Sequence, residues 1–414
     1  MPRILIVEDN KTLANLVAKK ITAELECDVD IAYKLSEAKL FLKKYKYFIT
    51  LLDINLPDAP NGEIVDYVLA SGNHAIVLSA NIDKNFRKKM LEKNIIDYVN
   101  KGGVNDVNYI IQTIKRLQKN QNHKILVVDD SIVFRKQMQM MLENMFFKVV
   151  TVAHGEEALG ILENVHDFSL VLTDHYMPVM QGLELTLEIR KKYSKNDLGI
   201  IAISSNNDEE ITALFLKNGA NDYIYKPFSK EEFSCRVNNS IEALENIHTI
   251  INHANRDFLT GLYNRRYFFK DMEEYFPHAM KSSEAFTLAM VDIDNFKQIN
   301  DTYGHETGDR VISHLADILR TGTNADDLVA RFGGEEFCIA LKNIAPAQAT
   351  ATLERLRKKT EETSVTAHGG DEIRFSISIG AISTHEDSLD ESIHQADLML
   401  YNAKQNGKNK VVIN

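Results

Sequence analysis

The first 243 residues contain an internal repeat, and this repeat constrains the fold more than any single motif does. Residues 3–10 (RILIVEDN) recur as residues 124–131 (KILVVDDS), 121 positions later, and residues 51–57 recur as residues 172–178 at the same spacing. Two later segments recur at a spacing of 125, which indicates a small insertion between them. A repeat of this length predicts two tandem domains of the same fold.

Within each copy, short apolar strands alternate with amphipathic helical segments. In the first copy, a helical pattern follows the first apolar run and places four residues on one face, Leu13, Leu16, Val17 and Ile21. Such alternation predicts an open parallel α/β sheet, and we expect each copy to be a flavodoxin-like (βα)5 domain. In sheets of this kind the functional side chains follow the carboxyl ends of the strands.

The same five kinds of side chain follow the predicted strand ends in both copies. Each copy has an acidic pair, a central aspartate, a hydroxyl and a lysine. The sets are Glu8, Asp9, Asp53, Ser79 and Lys101 in the first copy and Asp129, Asp130, Asp174, Ser204 and Lys226 in the second. The acidic pair can hold Mg²⁺ beside a carboxylate nucleophile, whose charge the metal and the lysine offset. Acidic residues also cap helices, but capping at one site does not explain a set that occurs twice.

The C-terminal third contains an acidic turn. The Gly-Gly pair at residues 333–334 lies between two apolar runs and predicts a hairpin, because glycine accepts positive φ without steric cost. The hairpin presents Glu335 and Glu336, and another apolar run ends in Asp292 and Asp294. If the two strand ends meet, their carboxylates form an oxygen-rich site suited to Mg²⁺ and substrate phosphates. A solvated acidic turn is the alternative for the hairpin taken alone.

Length and composition set the broad class of protein. The chain has 414 residues, of which 44% are hydrophobic and 26% charged, as in globular proteins of two or three domains. The net charge of −11 disfavours nucleic acid as a partner. The three cysteines lie far apart and suit a reducing compartment. Because no apolar run is long enough to cross a bilayer and no signal-peptide pattern is present, we expect a cytoplasmic protein without membrane insertion.

Five segments of the C-terminal part resemble the GGDEF family of diguanylate cyclases. They are residues 257–266 (DFLTGLYNRR), 291–305 (VDIDNFKQINDTYGH), 308–309 (GD), 331–337 (RFGGEEF) and 396–409 (ADLMLYNAKQNGKN). The resemblance implies an α/β nucleotidyl-cyclase-like palm domain at residues 257–414 that joins two GTP molecules into cyclic di-GMP and releases two pyrophosphates. Because each domain binds one GTP, it also implies a homodimer, with two Mg²⁺ ions per cyclase site and Mn²⁺ as an alternative ion.

The resemblance also assigns roles to single residues of this domain. It implies metal binding by Asp292, Glu335 and the backbone carbonyl of Ile293, proton removal by Glu335, and a second acidic position at Glu336. It implies contacts with substrate at Lys297, Asn300, His305, Asp309, Lys404 and Lys408. The lysines match phosphate-binding positions, although any one of them alone would more often be a solvated surface charge. Asn300 and Asp309 match guanine-reading positions, and a carboxylate accepts from the guanine N1–H and N2–H₂ groups, a pair that adenine does not offer.

One motif of the family is degenerate. The product-inhibition motif Arg-x-x-Asp corresponds to Asn324-Ala-Asp-Asp327, so the aspartate is present and the arginine is absent. Arg355 on the following predicted helix is either a secondary inhibitory contact or a solvated side chain. Without the guanidinium fork, we expect weak inhibition by cyclic di-GMP.

Both repeats, at residues 1–121 and 122–243, resemble the receiver domain of response regulators. The resemblance implies phosphorylation of Asp53 and Asp174 by an upstream histidine kinase or phosphotransfer protein, and one Mg²⁺ per receiver. It adds Asn55 and Tyr176 to the metal sets, and it implies that Ser79, Tyr98, Lys101, Ser204, Tyr223 and Lys226 are switch residues. Lys226 precedes Pro227, as is usual in the family, with a cis bond expected, whereas Lys101 precedes Gly102-Gly103, which leaves the shape of that loop open.

A helix is predicted to join the two halves of the chain. Residues 229–255 contain no proline or glycine, and residues 244–256 are predicted to be a helical linker. Val237, Leu244 and Ile251 are spaced by seven, as in a short heptad seam that pairs two chains. An ordinary amphipathic last helix of the second receiver explains the first half of the segment equally well.

The sequence supports two classes of function. The first is a phosphorylation-regulated diguanylate cyclase, and the alternative is a catalytically silent sensor of GTP or cyclic di-GMP, or a phosphorelay scaffold. Asp292, Glu335 and Glu336 are all present, which favours the enzyme. The second receiver leads directly into the linker, so Asp174 is expected to affect output more than Asp53. A DNA-binding regulator is disfavoured because the C-terminus lacks a basic recognition helix.

Overall fold

The computed structural model describes residues 1–79, 84–101, 104–205, 209–282, 284–367, 369–383 and 388–414. The chain forms two compact units, Met1–Ile247 and His248–Asn414. None of the described helices has an apolar stretch that could cross a membrane.

The first unit consists of two domains in which strands and helices alternate. The first domain contains β1 (Arg3–Val7), α1 (Lys11–Glu24), β2 (Asp28–Ala32), α2 (Leu35–Lys44), β3 (Ile49–Asp53), α3 (Glu63–Ala70), β4 (Ala75–Ser79), α4 (Lys84–Leu91), β5 (Asp97–Asn100) and α5 (Val104–Asn120). The second contains β6 (Lys124–Val128), α6 (Ile132–Asn144), β7 (Lys148–Val152), α7 (Gly155–Asn164), β8 (Phe168–Asp174), α8 (Gly182–Lys192), β9 (Gly199–Ser204), α9 (Glu209–Lys217), β10 (Asp222–Tyr225) and α10 (Lys230–Asn255).

Both sheets are parallel and have the same strand order. The orders are β2-β1-β3-β4-β5 in the first domain and β7-β6-β8-β9-β10 in the second. The central strands are buried on both faces, as expected for a sheet covered by helices on each side. The predicted tandem α/β domains are therefore confirmed.

Helix α1 begins with a side-chain cap and packs by helical periodicity. The Asn10 side chain accepts hydrogen bonds from the backbone N–H groups of Thr12 and Leu13, which would otherwise lack a partner in the helix. Val17 is buried as predicted, but Leu16 is 46% exposed, so its predicted inward position was wrong. The buried positions Ala14, Val17 and Ile21 recur at intervals of three and four residues, which leaves Leu16 on the solvent side.

One hydrophobic core extends through both domains of the first unit. It joins Ile110 and Ile114 of α5 to Ile125 and Met138 of the second domain. At its edge the ring of Phe146, from the second domain, lies 4.7 Å from that of Phe48 and 4.4 Å from that of His74. Buried hydrogen bonds cross the same boundary, from Asn144 to the Ile95 carbonyl (3.1 Å) and from Asn120 to the Met145 carbonyl (3.0 Å). The two domains are therefore parts of one packed body.

Glu245 on α10 anchors this helix to the rest of the first unit. Arg116 of α5 donates two hydrogen bonds to its carboxylate, at 2.7 and 2.8 Å. His123 Nε2 lies 2.8 Å from the same carboxylate, and His123 Nδ1 lies 2.8 Å from Ser169 Oγ. The hydrogen bonds from Arg116 lower the pKa of Glu245 to about 2. The first domain therefore binds α10 two residues before the unit ends.

The predicted heptad seam on α10 is only partly available for pairing two chains. Val237 and Leu244 are 0% and 3% exposed because they pack inside the first unit. Ile250 and Ile251 are 67% and 41% exposed. Any apolar pairing surface on this helix therefore begins after Leu244, and the seven-residue spacing did not distinguish core positions from seam positions.

The second unit is built around a mixed sheet. After the end of α10 it contains β11 (Tyr263–Asn264), α11 (Arg265–Ser282), β12 (Phe286–Ile293), α12 (Phe296–Tyr303), α13 (His305–Gly322), β13 (Leu328–Gly333), β14 (Glu336–Lys342), α14 (Pro346–Glu362), β15 (Ser364–Thr366), β16 (Glu372–Arg374), β17 (Ile377–Ile382), α15 (Leu389–Gln405) and β18 (Val411–Ile413). Its six-stranded sheet has the order β11-β13-β14-β12-β17-β18, and β15 pairs with β16. Strand β12 is buried along its whole length at the middle of this sheet.

Replacing Glu245 tests how strongly α10 is anchored. Since the folded-state pKa lies below the ordinary value of 4.5, the ionised carboxylate stabilises the fold above about pH 4.5, and this stabilisation is lost as the pH falls toward 2. We expect Glu245→Gln to lower the local free energy of unfolding of α10 by on the order of 2 kcal/mol near neutral pH, and by less at about pH 3. Native-state hydrogen exchange of the full chain measures this difference.

Glu242→Gln is the matched control, since Glu242 is an exposed residue on the same helix. An equal and pH-independent loss of protection in the two variants would contradict the role of Glu245.

Candidate functional site

The acidic turn and the end of β12 lie next to each other in the sheet. Gly333 pairs with Glu336 across the hairpin, so Gly334 and Glu335 form its tip. Gly334 has a φ of +48°, which glycine adopts at little cost. In the neighbouring ladder Asp292 pairs directly with Glu336. The carboxylates that the sequence assigned to two strand ends are therefore brought together.

The Asp292 carboxyl is buried and carries a raised pKa. It is 5% exposed, and burial, which the charges of Glu335 and Glu336 reinforce, raises its pKa to about 6. Lys404 of α15 opposes this shift, with its Nζ 2.8 Å from Asp292 Oδ2. Three carboxylates at one sheet edge against one lysine leave an excess of negative charge. A divalent cation would neutralise this charge, and carboxylate oxygens are the ligands that Mg²⁺ prefers. Among the described residues, however, the oxygens of Asp292, Glu335 and Glu336 do not form a group within 4.8 Å of one another, so charge and ligand type support a metal here and ligand spacing does not.

Arg331 braces the hairpin tip. Its guanidinium donates two hydrogen bonds to the Gly334 carbonyl, at 2.8 and 3.0 Å, and a third to Asp257 Oδ1 at 3.0 Å. Asp257 also accepts a hydrogen bond from the Thr260 hydroxyl at 2.8 Å. Arg331 and Asp257 both belong to the motifs quoted above, but sequence reasoning gave them no role. The contact joins positions 74 residues apart, and no local pattern reports it.

One polar atom on α12, the helix that follows β12, has no partner among the described residues. Asn300 of α12 buries its Oδ1, which accepts no hydrogen bond among the described residues. Gly308 of α13 allows this packing, because a Cβ at position 308 would lie 1.9 Å from Asn300 Oδ1. Asp309 and His305 are exposed on the same helix. The Asn300 Oδ1 is therefore packed against Gly308 and makes no hydrogen bond among the described residues.

The predicted phosphate-binding lysines lie around the same strand end. Lys404 is bound to Asp292 as described, and Lys408 Nζ donates to Asn295 Oδ1 at 2.5 Å. Asn295 directly precedes α12, and Lys297 is exposed in the first turn of that helix. Lys404 thus contacts Asp292 and Lys408 contacts Asn295, so both lysines lie at the end of β12.

Asp294 supports the fold of this region. Both of its oxygens accept hydrogen bonds, from Ser376 Oγ at 2.7 Å, Ser378 Oγ at 2.6 Å and the Asn409 backbone N–H at 2.9 Å. It is 4% exposed. Asp294 therefore connects β12 to the turn that carries Lys408.

The residues of the degenerate inhibitory motif make contacts within the fold. Asp327 accepts hydrogen bonds from the Asn324 backbone N–H at 2.8 Å and from the Lys342 backbone N–H at 3.0 Å. Arg355 donates to the Gly322 carbonyl at 2.8 Å. Asp327 therefore closes a turn, and Arg355 caps the end of α13. Sequence analysis predicted neither of these structural contacts.

The predicted acidic residues of the first domain lie close together. Ligand oxygens of Glu8, Asp9 and Asp53 all lie within 4.8 Å of one another, a grouping that fits one divalent cation. Lys101 Nζ lies 2.6 Å from Glu8 and 2.8 Å from Asp53, and burial raises the pKa of Glu8. Asp53 Oδ1 accepts from the Asn55 N–H at 3.1 Å. Ser79 and Tyr98 are buried.

The second domain has the same lysine contacts. Lys226 Nζ lies 2.8 Å from Asp129 and 2.7 Å from Asp174, and burial raises the pKa of Asp174. The expected cis Lys226-Pro227 bond is present, and Ser204 and Tyr223 are buried. Among the described residues, the 4.8 Å grouping of ligand oxygens occurs in the first domain and not in this one, although Asp9 and Asp130 are both exposed. Tyr176 is 50% exposed, and Gly102 and Gly103 lie outside the described residues.

The two parallel α/β domains with acidic strand ends and the mixed-sheet domain with an acidic hairpin match two known protein families. The response regulator receiver domain family matches residues 4–115 and 125–238, which together exceed half of the chain. The family described as diguanylate cyclase, GGDEF domain, matches residues 254–410. The chain therefore belongs to the response regulators that carry a GGDEF domain.

Several known proteins are similar to parts of this chain. The response regulator PleD of Caulobacter vibrioides is 29% identical over 299 residues, which cover 70% of this chain and 65% of PleD. Diguanylate cyclase A of Treponema denticola is 38% identical over 45% of this chain and 53% of its own length. A crystal structure described as a two-component system response regulator/GGDEF domain protein is 36% identical, with a TM-score of 0.54, over 59% of this chain and all of its own. The chain thus spans less than two thirds of the length of these two curated relatives.

The buried charge of Asp292 predicts an unusual effect on stability. Its folded-state pKa of about 6 lies above the ordinary value of 3.8, so the ionised carboxylate destabilises the metal-free fold at neutral pH, and this penalty disappears as the pH falls through that range. We expect Asp292→Asn to raise the local free energy of unfolding of β12 by on the order of 1 kcal/mol near neutral pH. Hydrogen exchange of the chelator-treated full chain measures this gain.

Asp294→Asn is the control on the same stretch of chain and should have the opposite sign, because Asp294 accepts three hydrogen bonds. A loss of protection in Asp292→Asn at neutral pH would show that the Lys404 contact outweighs the cost of burial.

Proposed function

We propose that the protein is a phosphorylation-regulated diguanylate cyclase that acts in the cytoplasm as a homodimer. In this proposal, two GTP molecules become one cyclic di-GMP and two pyrophosphates. The observation that carries it is the pairing of Asp292 with Glu336 beside Glu335, which concentrates negative charge at one sheet edge next to a lysine. Such a site suits a metal-bound triphosphate.

The base is recognised by Asn300 and Asp309. Asp309 has an exposed carboxylate that can accept hydrogen bonds, and Asn300 Oδ1 is a second acceptor, buried and without a partner among the described residues. Guanine presents two adjacent donors, N1–H and N2–H₂, whereas adenine presents an acceptor at N1. Two acceptors therefore favour GTP, and a bound adenine would leave the Asn300 carbonyl buried without a hydrogen bond.

The chemistry is a nucleotidyl transfer that occurs twice. The 3′-hydroxyl oxygen of one GTP attacks the α-phosphorus of the other, an oxygen–phosphorus bond forms, and pyrophosphate leaves. Glu335 accepts the hydroxyl proton, and Lys404 and Lys408 bind the phosphates as cations. Mg²⁺ held by Asp292, Glu335 and the Ile293 carbonyl would supply charge neutralisation and polarise the reacting phosphate. Since each domain holds one nucleotide, ring closure takes two chains.

The first test is conversion of GTP by the purified full chain in Mg²⁺. We expect cyclic di-GMP and pyrophosphate, little turnover of ATP, and a loss of at least about a hundredfold in rate for Glu335→Ala, because removal of a metal ligand and proton acceptor affects the transition state. Chromatography of the products measures both activities. The control is Glu273→Ala, which removes a carboxylate from the exposed side of α11 in the same unit.

A parent chain that binds GTP but forms no cyclic di-GMP would support the silent sensor instead. Equal turnover of ATP and GTP would contradict the role given to Asn300 and Asp309.

Phosphorylation control rests on the two lysine-bound acidic sets. In each domain the lysine contacts the central aspartate, at 2.8 Å from Asp53 and 2.7 Å from Asp174, and an acidic neighbour lies beside it. A phosphoryl group on either aspartate would compete for that lysine and change its contacts. The first domain also binds α10 through Arg116 and Glu245, so both receivers have a route to this helix.

The second test uses a small acyl phosphate as donor, with Mg²⁺. We expect intact-mass analysis to detect one phosphoryl group on Asp53→Asn, one on Asp174→Asn and none on the double variant, because each carboxylate is the nucleophile of its own site. Cyclase rates of the same samples report which receiver controls output. Phosphorylation that persists in the double variant would contradict the assignment of both acceptors.

A further inference from the structure

We propose that Arg357 and Asn409 are positioning residues for the turn that presents Lys408 to the substrate phosphates. This inference rests on the proposed function, since it concerns how the same site holds GTP. Neither residue belongs to the acidic centre, and Arg357 lies on α14, which contributes none of the proposed substrate contacts.

The turn that follows α15 has an unfavourable backbone conformation. Lys408 and Asn409 are consecutive residues with φ of +62° and +48°. Residues other than glycine rarely adopt this region, and a lysine there has no short polar side chain to compensate. Asn295, whose side chain accepts from Lys408 Nζ, has a φ of +58°. Three left-handed residues thus meet at one place, and surrounding contacts must hold them in this conformation.

The backbone of the turn is fixed by Asp294. The Asn409 N–H donates to Asp294 Oδ2 at 2.9 Å, and the same carboxylate is held by the hydroxyls of Ser376 and Ser378 at 2.7 and 2.6 Å. The Lys408 N–H donates to the Ala403 carbonyl at 3.1 Å. These bonds connect the turn to the strand end that carries the metal-binding residues.

The side chain of Asn409 is fixed by α14. Arg357 Nη1 donates to Asn409 Oδ1 at 2.7 Å, Asn409 Nδ2 donates to Glu361 Oε1 at 2.8 Å, and Arg357 Nη1 donates to Glu361 Oε2 at 2.9 Å. The three side chains close a ring of hydrogen bonds in which two partners are charged. Arg357 also donates to Glu354 at 2.9 Å and is 11% exposed, so its own position is well determined.

Together these contacts fix where the Lys408 ammonium lies. If the ring opens, the turn can relax toward an ordinary right-handed or extended conformation and move Lys408 away from Asn295. Only the fraction of chains with the left-handed turn would then be ready to bind a triphosphate. The apparent affinity for the triphosphate would be the intrinsic affinity multiplied by that fraction. Loss of Arg357 should therefore weaken GTP binding more than it slows the chemical step.

The experiment is calorimetric binding of 3′-deoxy-GTP, which lacks the attacking hydroxyl, to the full chain in Mg²⁺. We expect Arg357→Gln and Asn409→Gly each to weaken binding by roughly three- to tenfold, because each removes hydrogen bonds of the ring. Asn409→Gly keeps the backbone N–H and a residue that tolerates positive φ, so it isolates the side-chain contacts. Steady-state kinetics should show a matching rise in the half-saturating GTP concentration, with kcat within about twofold of the parent.

Two further variants separate positioning from general damage to the fold. Lys359→Gln removes a positive charge from the exposed side of the same helix and should bind like the parent. Arg357→Lys, which keeps the charge, should recover part of the loss. In a Lys408→Ala background, Arg357→Gln should add little, because two changes that act through one contact are not additive.

Unchanged binding in Arg357→Gln, or the full loss repeated in the Lys408→Ala background, would overturn the inference while the proposed function stands. A parent chain that binds no 3′-deoxy-GTP and makes no cyclic di-GMP would overturn the proposed function, and the inference with it.

Discussion

A buried carboxylate held by a lysine is the interaction on which all three candidate sites depend. Lys101 binds Asp53, Lys226 binds Asp174 and Lys404 binds Asp292, each within 2.8 Å. In each case the aspartate lies at the end of a central strand, where the sheet buries it, and burial disfavours the charged form. The lysine reduces this cost and keeps the carboxylate oriented, but other acidic groups nearby leave a surplus of negative charge. The fold thus maintains sites that a metal ion and phosphate groups would complete, and the stability of each site depends on what it binds.

The sequence predicted the parts of this arrangement that are local or repeated. Strand ends, the acidic hairpin and the tandem repeat follow from apolar runs, glycines and spacing, and the structure has them. Periodicity was wrong at Leu16, which is exposed, and it left two roles open for Val237 and Leu244, which the structure places in the core as the last-helix alternative predicted. In both cases the pattern was apolar enough for either role, and only the surrounding packing decides between them.

Contacts between distant residues were beyond sequence reasoning. Arg331 meets Asp257 across 74 positions, Arg357 meets Asn409 across 52, and Arg116 meets Glu245 across 129. A charged residue on an amphipathic helix has no local feature that identifies its partner, so sequence analysis gave Arg357 and Arg116 no role. A weak signal exists for Asn409, because asparagine tolerates left-handed φ more readily than most residues and follows Gly407 and Lys408 after a helix.

The shared hydrophobic core of the first unit affects how the chain is synthesised. A ribosome releases the first receiver before the second exists, and at that stage Phe48 has no Phe146 to pack against and Arg116 has no Glu245. The nascent receiver therefore exposes apolar surface until roughly another hundred residues have emerged, an interval of about ten seconds at common elongation rates. Replacing one receiver with that of another regulator would leave the same apolar surface exposed permanently. Within the first unit, the receiver pair and not a single receiver is consequently the part that can be transplanted as a folding unit.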